Sequence, residues 1–263
     1  MAITSPKNFD KEYLRKQVME TYQHVAEDPD ADYHFHRGSV YASEYLGYSL
    51  AELETLPTIS TARFAGVGNP IAIGPINPGE TVLDHACGAG MDLLLAAKRV
   101  GENGRAIGVD MTEEMRKCAR QGAEQAGLSK IVDIRKGMYE ELPVEDESVD
   151  VVLSNGVVNL APDKLRVFKE IQRVLKPGGR LYMADVIVQR ELTAEARNNP
   201  DIWAACIGGA LVEHELFELA QAVGLENGAI TKRFNCFLNT SAEQKVSKDL
   251  FAHGVNFSAN KRR

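Results

Sequence analysis

In the middle of the chain, apolar and polar residues form patterns typical of strands, and these alternate regularly with patterns typical of helices. Short apolar runs that predict buried strands lie at 81–83, 105–110, 131–136, 149–154 and 179–187. Helical periodicity occupies intervening stretches at 91–100, 112–126 and 163–175. Strands that alternate with helices in this way predict an α/β fold with a parallel sheet and helices on both of its faces.

The first part of the chain departs from this alternation. Helical patterns run from Phe9 to Ala26 and from Val40 to Leu46, and no convincing strand pattern precedes residue 70. We therefore predict an N-terminal helical cap over residues 1–70, packed over a ligand cleft. A sheet domain over residues 71–263 is predicted to follow it.

The last third of the chain also departs from simple alternation. The stretch from Glu191 to Leu219 has a helical pattern and contains the single tryptophan of the sequence. Ile230 to Leu238 and Gly254 to Asn260 predict two final strands, separated by an insertion at 239–253.

Composition and charge narrow the class of protein. The chain has 263 residues, a net charge of -7 and a pI near 5.5, which disfavours a nucleic-acid-binding protein because such proteins usually present a basic face. No apolar run approaches the length of a membrane span, and the N-terminus lacks the apolar core of a signal peptide. We predict a cytoplasmic protein that acts on a small-molecule substrate, without nucleic-acid or membrane partners; nothing in the sequence indicates its oligomeric state.

The cysteines and histidines do not predict a metal site. In the cytoplasm the four cysteines are expected to be thiols, and none of them forms a CxxC pair. His34 and His36 alternate with aromatic residues, but no third ligand lies near them in the sequence. We interpret these two histidines as half-buried or surface residues.

The motif TVLDHACGAGMD, residues 81–92, joins the first strand to the first helix of the alternating region. Gly88 and Gly90 lie in the loop between them, where the absence of side chains lets a ligand approach the backbone. Strand, glycine loop and helix together are typical of a nucleotide-type α/β site. The third glycine of the G-x-G-x-x-G fingerprint is missing, which disfavours a dinucleotide cofactor.

Asp110 ends the second predicted strand, twenty residues after Gly90. In a doubly wound sheet this acid lies beside the glycine loop and can accept hydrogen bonds from ribose hydroxyls. Asp110 and Thr112 also precede a helix and could cap it. Both interpretations can be true together.

The ordered motifs of residues 80–187 resemble those of class I S-adenosylmethionine-dependent methyltransferases. The resemblance depends on VLDHACGAGMD, GVDMTEEM, Glu141-Leu142-Pro143 and the segment LKPGGR at 175–180. A narrower resemblance to the arsenite methyltransferase family depends on Gly68-Asn69-Pro70, GVDMTEEM, SNGVVNLAPDK and WAACIGGAL. The resemblance implies a Rossmann-like, mostly parallel seven-stranded sheet with an antiparallel end.

The resemblance also implies S-adenosyl-L-methionine as cofactor and a set of residues around it. Asp84 would lie near the ammonium group, the glycine loop under the methionine moiety, Asp110 at the ribose and Met111 against adenine. Asn155, at the end of a strand, would face the methionine part and the site of methyl transfer. The cofactor-binding residues implied in this way are Asp84, Ala86, Gly88, Gly90, Asp110, Met111, Gly137, Met138 and Asn155.

The resemblance to the arsenite methyltransferase family implies three cysteine positions that bind arsenic. Two of them match here, Cys206 in WAACIGGAL and Cys236 in RFNCF, whereas Val67 occupies the first. Thiolate is the soft protein ligand that trivalent arsenic requires. Cys87 and Cys118 match none of these positions, and we interpret them as small buried apolar residues.

Three functions therefore remain open, with Asn155, Cys206 and Cys236 as candidate catalytic residues. The first is methyl transfer to trivalent arsenicals, with methylarsenite preferred over arsenite because only two cysteines are present. The second is methyl transfer to a small organic acceptor. The third is binding of S-adenosylmethionine or a metalloid without turnover.

Overall fold

A single sheet forms the centre of the protein in the computed structural model, which describes residues 3–7, 9–204, 206–240, 243 and 250–263. The strands are β1 (Thr81–Asp84), β2 (Arg105–Asp110), β3 (Val132–Lys136), β4 (Val149–Asn155), β5 (Leu175–Val188), β6 (Leu211–Val212), β7 (Leu225–Phe234) and β8 (His253–Lys261). The strand order is β3-β2-β1-β4-β5-β8-β7, and β6 pairs with β5 away from this path.

Strand β8 runs opposite to the other seven strands named above. The pairs β1–β2, β1–β4, β2–β3 and β4–β5 are parallel, whereas β8 is antiparallel to both β5 and β7. This confirms the expected mostly parallel path of seven strands with an antiparallel end. The two-residue strand β6, which pairs Ile187 with Leu211, was not predicted.

The helices lie between the strands and before the first of them. They are α1 (Lys11–Glu27), α2 (Gly38–Leu46), α3 (Leu50–Leu53), α4 (Thr58–Thr61), α5 (Met91–Val100), α6 (Glu113–Gln125), α7 (Lys164–Val174), α8 (Ala194–Arg197), α9 (Pro200–Ala204) and α10 (Glu213–Ala222). Two short 3₁₀ turns lie at Pro70–Ala72 and Val158–Leu160. No helix among the described residues is both long and apolar enough to cross a membrane.

Both faces of the sheet are buried. Successive side chains of a strand point to opposite faces, so neighbouring residues of β4 reach two different clusters. Val152 of β4 packs in the cluster that α7 and α10 cover. Val151 and Leu153 pack in a second cluster, where α5 meets residues of α2 and α3. The N-terminal helices therefore share a core with the sheet.

Helix α1 connects the N-terminal segment to distant parts of the chain. Arg15 forms an ion pair with Glu140, in the loop after β3. Tyr13 donates to Asp201 of α9 at 3.3 Å, and the ring of Phe9 lies 4.8 Å from that of Trp203. The helix thus contacts the C-terminal third as well as the sheet.

Two sequence predictions for the last third were wrong. The stretch 191–219 is not one helical segment, since a turn and β6 separate α9 from α10. A Cβ atom on Gly209 would lie 2.0 Å from the carbonyl oxygen of Asn159, so the turn depends on a glycine packed against a neighbouring backbone.

The strand predicted at 230–238 instead spans Leu225–Phe234, and the residues that follow it form turns. Asn227 has a positive φ, and the β7–β8 register shifts between Glu226 and Ala229, so the start of this strand is irregular. The strand predicted at 254–260 is confirmed as β8. Residues 241–242 and 244–249 of the predicted insertion lie outside the described residues.

Candidate cofactor and acceptor sites

The glycine loop between β1 and α5 has the backbone geometry that its sequence predicts. Gly88 and Gly90 have φ values of 51° and 90°, in the left-handed region where side chains are disfavoured. A Cβ atom on Gly90 would lie 3.3 Å from the Cβ of Ala119 on α6. The glycines therefore let the loop turn sharply and lie close to the neighbouring helix.

A cavity lies beside this loop, at the carboxyl ends of β1, β2 and β4, where open α/β sheets bind ligands. Eight of the predicted cofactor-binding residues line it: Asp84, Ala86, Gly88, Gly90, Asp110, Met111, Gly137 and Asn155. Met138 does not line the cavity, whereas its neighbours Gly137 and Tyr139 do. Val18, Tyr22, Ser60 and Phe64 extend the wall from the N-terminal segment.

Asp110 lines the cavity and accepts hydrogen bonds from two backbone amides. One carboxylate oxygen accepts a hydrogen bond from the Gly88 amide at 2.9 Å, and the other accepts one from the Thr112 amide at 2.8 Å. Each carboxylate oxygen has a further lone pair, so both can still accept a hydrogen bond from a ligand. Asp110 thus joins the glycine loop to the start of α6 while it lines the cavity.

Three buried carboxyl groups, those of Asp84, Asp92 and Asp110, line the cavity. Burial raises the pKa of Asp84 well above its usual value, and the neighbouring Asp92 and Asp110 raise it further. Burial also raises the pKa of Asp110, and it raises the pKa of Asp92 to about 6. A cationic ligand beside them would favour their charged forms.

The sequence analysis did not identify Asp92 or Tyr48, which form a buried network with Asn155. Tyr48 donates to Asp92 at 2.6 Å, and the Asn155 amide donates to the other oxygen of Asp92 at 2.9 Å. The same amide donates to Gly68 O at 3.1 Å, and its oxygen accepts from Val67 N at 2.9 Å. Asn155 lines the cavity as predicted, and its polar atoms fix the loop that contains Val67.

Asn256 of β8 fixes the same loop from the other side. Its side chain accepts from the backbone N of Asn69 at 3.0 Å and donates to the backbone oxygen of Asn69 at 2.8 Å. Gly66 must be a glycine, because a Cβ atom there would lie 2.4 Å from the Asn155 amide nitrogen. The loop around Val67 is therefore positioned by two asparagines from separate strands.

His85 is a further cavity residue that the sequence analysis missed. Its Nε2 lies 2.9 Å from the Ser154 hydroxyl, and its Nδ1 has no hydrogen-bond partner among the described residues. Burial lowers the pKa of His85 to about 4, so the imidazole is neutral at physiological pH. Its place inside the LDHACG motif, between Asp84 and Ala86, was the available signal.

Cys206 and Cys236 do not line the cofactor cavity, but the fold brings them together. Both pack in one buried cluster that also contains Val67, Trp203 and Phe237. The pKa of each thiol is raised to about 12, mainly by burial, and Cys206 contributes to the increase at Cys236. Positions 67, 206 and 236, which the family resemblance grouped, therefore lie in one cluster of the fold.

Val67 belongs to this thiol cluster and also lies close to the cofactor cavity. Its neighbour Gly66 lines the cavity, as does Gly156, where an added Cβ atom would lie 3.5 Å from a methyl group of Val67. On the other side, a Cβ atom on Gly254 would lie 2.0 Å from Val67 O and 3.5 Å from the Cys236 sulfur. The thiol cluster and the cavity are thus adjacent, and Val18 and Leu160 belong to both.

The remaining cysteines are also buried thiols. Cys87 lines the cofactor cavity, and burial raises its pKa well above the usual value. Cys118 packs against Val25 and Met115 in a separate cluster. Among the described residues, no group of three histidine, cysteine or acidic side chains could hold a metal ion.

The fold and this cavity are those of a class I methyltransferase, and residues 76–236 match the family model described as a methyltransferase domain. The chain therefore belongs to the S-adenosylmethionine-dependent methyltransferase family. This confirms the predicted fold class and S-adenosylmethionine as its cofactor.

Known relatives place the chain close to the arsenite methyltransferases. It is 42% identical over 184 residues to the arsenite methyltransferase of Halobacterium salinarum, covering 70% of this chain and 46% of that protein. It is 39% identical over 175 residues to that of Aquipseudomonas alcaligenes, covering 64% and 49%. The chain thus spans about half the length of these curated relatives.

A solved structure supports the same relationship. The arsenic(III) S-adenosylmethionine methyltransferase of Chlamydomonas reinhardtii superimposes with a TM-score of 0.70 at 33% identity. The match covers 81% of this chain and 72% of that one.

Proposed function

We propose that this protein transfers a methyl group from S-adenosylmethionine to a trivalent arsenical, with methylarsenite preferred over arsenite. The main supporting observation is that Cys206 and Cys236 share a buried cluster with Val67, next to the cofactor cavity. The names of its relatives agree with this acceptor.

The residues around the cavity suit a cofactor that carries positive charge. S-adenosylmethionine supplies an activated methyl group on a sulfonium cation and also has an ammonium group. We assign Asp84 to the ammonium group, Asp110 to the ribose hydroxyls and the glycine loop to the methionine moiety. Met111 and the Gly137–Tyr139 segment are assigned to adenine. The raised pKa values of Asp84 and Asp110 support this set, because a bound cation stabilises both carboxylates.

The two thiols suit the acceptor. Each can replace one hydroxyl of a trivalent arsenical, so that a sulfur–arsenic bond forms and the thiol proton leaves with the hydroxyl as water. Methylarsenite has two hydroxyls, and Cys206 and Cys236 can replace both. Arsenite has three, so one would remain, because Val67 provides no thiol.

The chemistry at arsenic requires little else from the protein. A trivalent arsenic bound by two sulfurs retains its lone pair, so no residue has to remove a proton before the methyl group is transferred. The protein contributes mainly by positioning the acceptor next to the cofactor cavity and by excluding water.

We propose that residues 1–70 form the cap that excludes this water. Val18 and Tyr22 of α1 line the cofactor cavity, and the Tyr41 hydroxyl donates to Gly66 O at 3.1 Å, next to Val67. The thiols are almost completely buried, Cys236 at 3% and Cys206 at 8% exposure. An acceptor reaches them only when part of this cover moves.

The proposal also includes a cytoplasmic location, because the four cysteines are free thiols, the state expected in a reducing compartment. It includes no nucleic-acid partner, since the net charge of -7 disfavours one.

An acceptor assay with labelled S-adenosylmethionine tests this function. The acceptors are methylarsenite, arsenite with glutathione, and a panel of small phenols and amines. We expect the fastest turnover with methylarsenite, and loss of that turnover in the Cys206→Ser, Cys236→Ser double variant. The matched control is Cys118→Ser, on α6 outside the thiol cluster.

Three outcomes would contradict the proposal. Turnover of organic acceptors without turnover of arsenicals would assign the cavity to the organic alternative. Binding of S-adenosylmethionine without turnover of any acceptor would favour the non-catalytic alternative. Unchanged methylarsenite turnover in the double variant would exclude the two thiols as arsenic ligands.

A further inference from the structure

Lys164, the first residue of α7, is completely buried, and it lies outside the walls of the cofactor cavity. A buried lysine is rare because burial disfavours its charge. Its position at the start of a helix is also unfavourable, since the helix dipole is positive there. Packing alone does not require a cation here, because an apolar side chain could fill the same volume.

The ammonium group of Lys164 has two close contacts. It donates to Ala161 O at 2.9 Å, and it lies 4.4 Å from the centre of the Trp203 ring. An ammonium over an indole face is the most favourable cation–π pair, and it is strongest when both groups are removed from water. Trp203 is only 1% exposed, so this pair is almost entirely desolvated.

Charged groups from four other segments face Lys164. Asp185 of β5 and Glu215 of α10 favour its charged form, Arg197 of α8 opposes it, and Glu140 after β3 favours it weakly. Burial is the largest influence and lowers the pKa of Lys164 to about 7. The surrounding acids thus favour the charged form of Lys164 against the effect of burial.

Trp203 in turn fixes the turn that follows α9. Its indole nitrogen donates to Arg197 O at 2.9 Å, and its ring packs against Phe9. Gly208 and Gly209 lie against the same ring, because a Cβ atom on either would approach ring atoms within 2.6 Å. The ring is therefore held between Lys164, Phe9 and the turn.

Cys206 lies within this turn and depends on it. Its backbone nitrogen donates to Trp203 O at 2.9 Å, and its φ of 64° is in the left-handed region, which is uncommon for a residue with a side chain. Such a conformation persists only where the surrounding structure fixes it. The direction of the Cys206 thiol thus depends on the position of Trp203.

We propose that Lys164 is a positioning residue for the acceptor site: its ammonium group fixes the Trp203 ring, and the ring fixes the turn that directs the Cys206 thiol toward Cys236. This inference rests on the proposed function, because it assigns Lys164 to the arsenical site. It adds a residue that touches neither the cofactor cavity nor, directly, the bound acceptor.

Lys164→Met tests the inference, because methionine fills a similar volume without charge. Trp203 is the only tryptophan, so its emission reports on the contact itself and on methylarsenite binding. We expect Lys164→Met to shift this emission, to weaken methylarsenite binding by about tenfold or more, and to change S-adenosylmethionine affinity by less than about twofold. In turnover, the KM for methylarsenite should rise while kcat changes little.

Two further variants separate charge from general damage. Lys164→Arg retains a cation that can stack on the indole and should retain most of the affinity. Lys169→Met makes the same change at an exposed position of the same helix and should behave as the wild type. If Lys164→Met does not fold, Trp203→Phe weakens the same pair and should lower methylarsenite affinity several-fold, measured by calorimetry.

Labelling of Cys206 separates failure of this inference from failure of the proposed function. If the wild type binds no arsenical, the function is wrong, but the turn can still be tested with a maleimide and peptide mapping. Lys164→Met should then accelerate labelling of Cys206 by about tenfold relative to Cys118 in the same sample. Wild-type labelling in that variant, or wild-type methylarsenite affinity, would overturn the positioning role of Lys164.

Discussion

The cofactor cavity and the thiol cluster are adjacent, yet they are assembled in opposite ways. The cavity uses consecutive strand ends and one contiguous loop, with Asp84, Gly88 and Gly90 close together in the sequence. The thiol cluster combines Val67, Cys206 and Cys236, which belong to three distant segments. A site made from a local motif can be recognised in the sequence, whereas a site made from distant segments depends on the whole fold.

The two regions also differ in their electrostatics. The cavity contains buried carboxyl groups whose pKa values are raised by burial and, for Asp84, also by the neighbouring Asp92 and Asp110, so a cation there would favour their charged forms. The cluster contains two buried thiols whose pKa values are near 12, so both thiols are neutral. Changes in one region should therefore leave binding in the other region intact.

The largest expected effect is on acceptor binding in Cys206→Ser. A serine oxygen is a hard donor and cannot replace the soft sulfur ligand of arsenic. We expect methylarsenite affinity, measured through Trp203 emission, to fall by about 100-fold or more, roughly 3 kcal/mol. S-adenosylmethionine affinity, measured by calorimetry, should not change. A parallel loss of cofactor affinity would show that the two regions are not independent.

Much of the fold was predictable for the same reason as the cavity. The strands of the parallel part and the helices α5, α6 and α7 follow local patterns, and their predicted bounds agree with the structure to within a few residues. Met138, predicted to bind the cofactor, does not line the cavity, whereas its neighbour Tyr139 does; near a strand end the direction of a side chain depends on the local turn.

The rest of the structure depends on contacts that no local pattern records. Lys164 has the sequence pattern of an ordinary helix start, and only the arrival of Trp203 from a distant segment buries it. The break in the segment 191–219 follows from Gly209 packing against Asn159. Similarly, the role of Asn155 in fixing the Val67 loop follows from long-range hydrogen bonds.

Asp110→Ala changes the cofactor cavity instead of the thiol cluster, and we expect it to have the next largest effect. It removes the two carboxylate oxygens that we assign to the ribose, and it leaves the Gly88 and Thr112 amides without their partner. Cofactor affinity should fall by roughly 1–3 kcal/mol, the usual cost of unpaired polar groups, while methylarsenite still perturbs Trp203 emission as in the wild type. The control is Asp133→Ala, on the neighbouring strand β3 outside the cavity. Equal losses in the two variants would exclude a specific role for Asp110.

The pH dependence of stability should reveal Asp92. Its pKa is raised in the folded protein from an ordinary 3.8 to about 6, so the folded state binds the proton more tightly than the unfolded state does. Its contribution to the free energy of unfolding is therefore fully present below pH 4 and is lost as the pH rises from about 4 to 6. A change of this size in pKa corresponds to roughly 3 kcal/mol as an upper limit.

Denaturation at several pH values measures this contribution as the difference between wild type and Asp92→Asn. The asparagine can turn its amide to bind Tyr48 and Asn155, so the network is kept without the charge. Stability of the variant should fall less between pH 4 and pH 6. Bound S-adenosylmethionine should stabilise the wild type more at pH 7.5 than at pH 5, since a cation favours the ionised carboxyl groups. Identical pH profiles for the two proteins would show that Asp92 does not titrate in this range.

Val67→Cys gives the smallest expected effect, and it tests the boundary between the two regions. Val67 is buried beside Cys236, and a thiol at this position would add a third sulfur to the cluster. With three sulfurs, all three hydroxyls of arsenite can be replaced, whereas methylarsenite gains nothing because its third bond is already to carbon. The ratio of arsenite to methylarsenite affinity should rise by about tenfold, or ~1.4 kcal/mol. The serine in Val67→Ser is close to cysteine in size but has no soft donor atom, so this variant should leave the ratio unchanged. If the serine variant shifts the ratio as much as the cysteine variant does, the preference is set by space around position 67 and not by the number of thiols.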